Sequence, residues 1–332
     1  MSAIAEGSKS IVKPLKSRVD SVHIVAPARL HLGFLDLNGG LGRLFGSIGL
    51  ALDNPVTELT LRRANYDTAE GVEQHRSARA LKHFKAALNI DGNYHLEVTR
   101  AIPAHAGLGS GTQLALAIGV ALKTLEQQHV TPVELAEIIG RGARSAIGMA
   151  AFESGGFVVD GGRGRSPSPP PVVYRGDFPS EWRIMLVKDP KRAGVHGDTE
   201  TAAFANLDGM TPEESGTLCR LMMMQLLPAL IERDIGNFGS ALSKIQEVVG
   251  CQFAVAQGGI WASPAVESIV KKMAELGAVG IGQSSWGPTG FAFVPSQAVA
   301  DSLYQSLVDD AKRLDLEIEI VRGRNHGASI QF

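Results

Sequence analysis

The chain reads as an α+β protein of two domains, and three observations predict this. Its 332 residues exceed the roughly 250–300 that a single core usually serves, and 44% of them are hydrophobic, ample for two cores. Short apolar strands of period two are interspersed with helical repeats along the whole length. A proline-rich stretch from Pro167 to Pro171, continuing to Pro179, interrupts that order near the middle. The expected parts are a flexible tail at 1–18, a first domain at 19–178 and a second domain at 179–332.

In the tail, Lys9, Lys13, Lys16 and Arg18 accompany no apolar stretch of the kind a signal peptide needs. VHIVAP, GSIGLAL and TELTL then read as strands, Ala78 to Leu88 as a helix and YHLEVTR as a strand. A glycine-rich loop leads into a helix at Gln113 to Leu125, followed by a helix from Pro132 to about Ala146 and strands near Phe157 and Val172. The second domain opens with strand RIMLVK and continues with helices within 213–249 and at 264–276. Strand GFAFV, a helix at 297–313 and strand LEIEIV complete it. Ser263 suits an N-cap and Pro264 the first helical position behind it.

The most informative segment is Ile102 to Gly119, IPAHAGLGSGTQLALAIG. Gly107, Gly109 and Gly111 permit positive φ and close backbone approach, and an apolar helix follows at once. Unpaired amides and the positive end of the helix dipole favour phosphate at such a junction. Ser110 is placed to bind that phosphate or a metal held by it. Two better known phosphate loops are excluded by spacing. Gly111 is followed by Thr112 and Gln113 where the Walker pattern needs Lys and then Ser or Thr, and the glycines are spaced too tightly for GxGxxG.

Two further glycine-rich segments, Ala26 to Leu52 (APARLHLGFLDLNGGLGRLFGSIGLAL) and Gly280 to Val294 (GIGQSSWGPTGFAFV), flank apolar strands. With PAHAGLGSGTQ they resemble, in order and spacing, the three motifs of the GHMP kinase superfamily, from about residue 20 to the C-terminus. The resemblance implies a GHMP kinase-like fold: an N-terminal domain like ribosomal S5 domain 2, a ferredoxin-like α/β sandwich after it, and a ligand cleft where the motifs converge. Many of these kinases carry SGxDxxxxxxGG, whose Asp assists deprotonation of the substrate hydroxyl. Here the segment reads SAIGMAAFESGG, with Gly148 at the Asp position, although homoserine kinases also lack that Asp. The remaining details, including SAIGMAAFESGGFVVDGG and the terminal RGRNHGASI, resemble the non-kinase branch of β-ribofuranosylaminobenzene 5′-phosphate synthases.

That resemblance implies a pentosyltransferase condensing phosphoribosyl pyrophosphate (PRPP) with 4-aminobenzoate or 4-hydroxybenzoate. CO2 and pyrophosphate are released, on the way to methanopterin cofactors. It implies Mg²⁺ with PRPP, no ATP, no organic cofactor and a homodimer. Gly107, Leu108, Gly109, Ser110, Gly111 and Thr112 would cradle one phosphate, and Arg29 and Arg43 would grip another with guanidinium forks. Asp36 would hold Mg²⁺ together with Ser110, or stabilise charge on the ribose; Asp36 and Arg43 equally well pair with each other or cap turns in LDLNGGLGR. Arg29, His31 and Gly33 share one strand face, opposite Leu30 and Leu32. His31 and His105 are candidates for the benzoate carboxylate or phosphate, and Ser284 and Ser285 for substrate hydrogen bonds. Trp286 either stacks on the aryl ring or belongs to the core. Arg163, Arg165, Lys188, Lys191 and Arg192 form loop cations able to close over pyrophosphate, whereas His196 and Glu200 have no assigned role. Two other classes remain open, an ATP-dependent small-molecule kinase and a silent phosphate-ligand sensor.

A net charge of −2 argues against a nucleic-acid partner, which normally shows as a strong basic excess. The apolar runs fall short of the ~20 residues of a membrane helix, so a cytoplasmic protein is expected. Cys219 and Cys251 are the only cysteines and form no metal-binding spacing.

Overall fold

The computed structural model describes residues 19–332, apart from Val130, Pro167, His196, Asn206 and Asp208 and the side chains of Asp198 and Thr201. The expected tail at 1–18 and the unassigned His196 therefore lie outside the described residues. Among the described residues eleven strands and ten α-helices form two sheets with helices packed on them.

A seven-stranded sheet is built on β1 (Ser21–Asp36) and β2 (Phe45–Arg63), which run antiparallel. β4 (Tyr94–Arg100) and β3 (Thr68–Gly71) extend it on one side, while β5 (Phe157–Asp160) and β6 (Val172–Gly176) extend the other half of β2. The pairing slips between Pro27 and Ala28, opposite Asp53 to Pro55 of β2. On either side of that slip the long strands serve different cores. Ile24, Ala26, Leu59 and Leu61 pack under α1 (Gln74–Ala87), α2 (Ser110–Leu125) and α3 (Pro132–Ile138). Leu30, Leu32, Leu50 and Leu52 instead join a core shared with the second half of the chain, including Trp182, Phe238 and Phe293.

The second sheet has four antiparallel strands in the order β10-β7-β9-β8: Glu317–Val321, Arg183–Lys188, Gly290–Val294 and Val279–Gln283. Helices α9 (Pro264–Glu275) and α10 (Gln297–Arg313) cover one face through Ile269, Met273, Leu303 and Leu307. Helix α8 (Ile235–Gln257) lies between the sheets. The N-cap expected at Ser263 is present, its side chain accepting from Val266 N with Pro264 at N1.

Several elements differ from expectation. The helix expected from Pro132 to Ala146 ends already at Ile138 (α3), where Gly140 and Gly142 take left-handed φ of 62° and 83°, and a separate, unexpected helix α4 (Ile147–Glu153) begins beyond the expected end. Within 213–249 the run divides into α6 (Pro212–Leu221), a π-helical turn at Met222–Leu226, α7 (Leu227–Glu232) and α8, with Asp234 capping the last. Helix α5 (Gly197–Ala205) and β3 and β8 carry no clear period in the sequence. The chain end does not stay with the second sheet: β11 (Ser329–Gln331) returns to pair with β1. No helix among the described residues is long and apolar enough to cross a membrane. Cys219 and Cys251 are both free.

Candidate active site

The three glycine-rich segments meet around the N-terminus of α2. Gly109 caps the helix at φ 85°, placing Ser110 in the first turn, and no side chain caps that end or puts a carboxylate there. The first-turn amides are thus left for a ligand. Gly107, at φ 79°, lies so close to the third segment that an added Cβ would stand 2.2 Å from the Ser284 carbonyl oxygen. The Ser284 hydroxyl donates to Gly107 O at 2.7 Å and accepts from His31 N at 3.0 Å, so one buried side chain ties all three segments together. Arg29 adds two bonds: its backbone N–H donates to Leu108 O at 3.1 Å and its guanidinium donates to Gly107 O. Leu108 itself is core.

A cleft of about 730 Å³ opens over this loop. Arg29, Arg76, Arg141, Arg144 and Arg163 line it, against the single carboxylate, among the described residues, of Glu200. A Cβ on Gly111 would lie 3.1 Å from Arg76 Nη2 and 3.4 Å from Arg141 Nη2, which shows how tightly the guanidiniums gather at the helix end. Arg76 also donates to Ser110 Oγ at 3.5 Å and pairs with Glu73 at 3.3 Å. Arg144 pairs with Glu200 at 3.1 Å and sits 4.6 Å from the Phe204 ring centre. Burial lowers Arg29 to about 10, partly offset by Glu200, so it stays protonated at neutral pH. The overall charge of −2 conceals this local excess, which suits a ligand bearing more than one phosphoryl group.

The loop carrying Arg144 is anchored by Asp160. This fully buried carboxylate accepts from Ser47 N at 2.9 Å, Ala146 N at 2.8 Å, Gly162 N at 3.0 Å and Ser145 Oγ at 3.3 Å. Burial raises its pKa and these four bonds oppose the rise.

Of the residues singled out in the sequence, Arg29, His105, Gly107, Gly109, Ser110, Gly111, Thr112 and Ser285 line the cleft, as do Arg163, Glu200 and Trp286. Trp286 is also core, 2% exposed and stacked on Phe253 with ring centres 3.9 Å apart. His31 faces a second cavity, which Ser285 also lines. Asp36 and Arg43 are not brought to the cleft. They line a third, mostly apolar cavity with Tyr174, Cys219 and Met222. Asp36 Oδ1 accepts from Asn38 N at 2.7 Å, Gly39 N at 2.9 Å and Ser215 Oγ at 3.3 Å; Arg43 donates to Gly161 O and Gly162 O, each at 2.6 Å. They brace a turn and do not pair with each other. The link to the cleft is indirect: Leu44, beside Arg43, exchanges backbone bonds with Arg163 at 2.9 and 2.7 Å, and Phe45 lines both spaces.

Among the expected loop cations only Arg163 reaches the cleft. Lys188 pairs with Glu317 and Glu319, and Lys191 with Asp315, away from it. Sequence reasoning missed Arg76, Arg141 and Arg144. The glycine-flanked IGRGARSAIG offered a signal for the latter two, whereas QHRSARALKH reads as an ordinary solvated helix. Gly148 faces Thr112, where an added Cβ would lie 3.1 Å from its Cγ2. Among the described residues no cluster of three His, Cys, Asp or Glu side chains could hold a metal ion.

Comparison with known proteins accords with this geometry. The models of the GHMP kinases N terminal domain and the GHMP kinases C terminal domain match residues 75–156 and 226–312. The chain is similar to the beta-ribofuranosylphenol 5′-phosphate synthases of Archaeoglobus fulgidus and Methanothermobacter thermautotrophicus, each 34% identical over 92% of this chain, covering 98% and 97% of those proteins. Among solved structures it resembles a homoserine kinase from Cytophaga hutchinsonii, with a TM-score of 0.67, 20% identity, and coverage of 96% of this chain and 99% of that one. That likeness carries the fold alone, while the synthases share sequence along nearly their whole length. The chain therefore belongs to the β-ribofuranosylphenol 5′-phosphate synthase family, a branch built on the GHMP kinase fold.

Proposed function

We propose that this protein is a decarboxylating aryl C-ribosyltransferase that joins PRPP to 4-hydroxybenzoate or 4-aminobenzoate. The observation that carries the reading is the cluster of five arginines over an uncapped helix N-terminus. PRPP bears a 5′-phosphate and a pyrophosphate, and such a cleft holds both and stabilises the charge that develops as pyrophosphate leaves. The C1′–O bond breaks with its electron pair on pyrophosphate. The ring carbon bearing the carboxylate attacks C1′, and the pair of the C–CO2 bond returns to the ring as CO2 departs. No redox chemistry is involved. Gly148 leaves a kinase-type transfer without a base at that position. The relatives' names speak of a phenol product, which places 4-hydroxybenzoate beside 4-aminobenzoate as an acceptor to test.

Mg²⁺ fits as an ion delivered with PRPP. Glu200 is the one carboxylate among the described side chains lining the cleft, with the hydroxyl residues Ser110, Thr112, Ser145 and Ser285 beside it, a set matching a metal held chiefly by substrate phosphates. The ion would supply further charge neutralisation on the leaving pyrophosphate. The reading extends to a cytoplasmic homodimer, checked by fractionation and by light scattering.

The test incubates protein, Mg²⁺, PRPP and carboxyl-labelled 4-hydroxy- or 4-aminobenzoate, with an ATP-only control. Equal release of CO2 and pyrophosphate, dependent on PRPP and indifferent to ATP, is expected. ADP formation with small alcohols and no CO2 would return the chain to the kinases.

A further inference from the structure

The second cavity, of about 370 Å³, lies between β1, α8 and the segment leading through β8. Phe34, Phe253 and Trp261 give it aromatic walls, and His31 stands at one side. His31 is 4% exposed, and among the described residues neither of its ring nitrogens has a hydrogen-bond partner. Its backbone is pinned on both sides, the N–H by Ser284 Oγ at 3.0 Å and the carbonyl by Ser285 N at 3.3 Å, and its ring packs 4.5 Å from Phe34. A buried donor and acceptor held in place without partners is an unmet demand for a ligand.

We infer that this cavity is the acceptor site, taking a flat benzoate ring whose para hydroxyl or amino group donates a hydrogen bond to the His31 imidazole. The inference rests on the proposed function for the identity of the ring. Burial and the nearby Arg29 and Arg144 guanidiniums push His31 down to about 3, so at neutral pH it carries the lone pair this bond needs. Ser285 lines both this cavity and the arginine cleft, and the inference sets the carboxylate end of the ring on that side, toward bound PRPP. A hydrogen bond drawing on the para O–H or N–H releases electron density into the ring. It appears at the carbon para to that group, which bears the carboxylate and forms the bond to C1′. His31 thereby both selects the para substituent and activates the ring.

The test is equilibrium titration calorimetry with 4-hydroxybenzoate and with unsubstituted benzoate, in the presence of Mg²⁺ and inorganic pyrophosphate. The wild-type protein should bind 4-hydroxybenzoate about tenfold tighter than benzoate. His31→Phe should abolish that preference while keeping the affinities for benzoate and pyrophosphate, and His31→Gln, which retains a donor and an acceptor, should restore part of it. Should His31→Phe not fold, Val249→Phe tests the same site: Val249 lines the cavity, and a larger side chain there should exclude both rings and leave pyrophosphate binding intact. A wild-type protein without preference, a His31→Phe protein that keeps it, or unimpaired ring binding by Val249→Phe would each overturn the inference. These measurements require no turnover. His31-dependent ring binding without CO2 release would remove the transferase reading and leave the site, and CO2 release without His31-dependent binding would do the reverse.

Discussion

Lowering the pH from about 7.5 to about 5 should destabilise this protein through His31. Its imidazole is 4% exposed, and burial, aided by Arg29 and Arg144, takes its pKa from 6.5 to about 3. Between those values the unfolded chain binds a proton that the folded chain refuses. Stability is therefore full above about pH 6.5 and is lost progressively as the pH falls toward 3. Each pH unit in that window costs about 1.4 kcal/mol, so the loss at about pH 5 is about 2 kcal/mol. Urea denaturation of the wild type and of His31→Phe at both pH values measures it: the wild type should lose about 2 kcal/mol more than the variant. Asp160, whose pKa is raised, shifts stability in the opposite sense, but it is common to both proteins and cancels in the difference. Equal pH dependence of the two proteins would refute the argument, because it would mean that His31 accepts a proton as readily folded as unfolded.

Arg141→Ala should weaken PRPP binding by roughly 10- to 100-fold in calorimetry, the range for losing charge-assisted bonds, and flatten its salt dependence. Arg43→Ala, acting as a positioning change through Leu44 and Arg163, should raise the KM for PRPP more than it lowers kcat. The opposite split would place Arg43 at the reacting atoms. Gly148→Asp sets a carboxylate against Thr112 beneath the phosphate loop; PRPP affinity should fall by about tenfold or more without any gain of ATP-dependent phosphorylation of homoserine, assayed by coupled ADP release. Gly107→Ala, with a Cβ 2.2 Å from the Ser284 carbonyl and φ at 79°, should cost more than about 2 kcal/mol, visible as a lowered Tm.

Much of this site was legible because phosphate binding leaves a local mark. Glycines before an apolar helix state a backbone conformation, and Gly107 and Gly109 adopt it at φ 79° and 85°, whereas Gly111 lies inside α2, which begins at Ser110 and not at Gln113. Arg29 was legible through its place beside glycine-rich sequence on a strand. Arg76 was not, because a lone cation on an amphipathic helix looks the same whether it faces solvent or an anion. Asp36 and Arg43 illustrate the converse. Their seven-residue separation suggested a shared site, yet the turn between them points the two side chains at different backbone groups.

The sequence by itself determined the order of most of the strands and helices, the Ser263 cap with Pro264 behind it, and the glycine loop, because these depend on residues close together in the chain. It also determined the family, since the motif order is a property of the chain alone. Only the tertiary structure decided which cations meet. Five arginines from β1, α1, the loop between α3 and α4, and the loop after β5 converge through contacts between residues up to more than a hundred positions apart. The same holds for His31. Alternation placed it on a strand face, but its burial, its missing partners and its suppressed protonation arise from the packing of α8 and the third glycine segment against that strand.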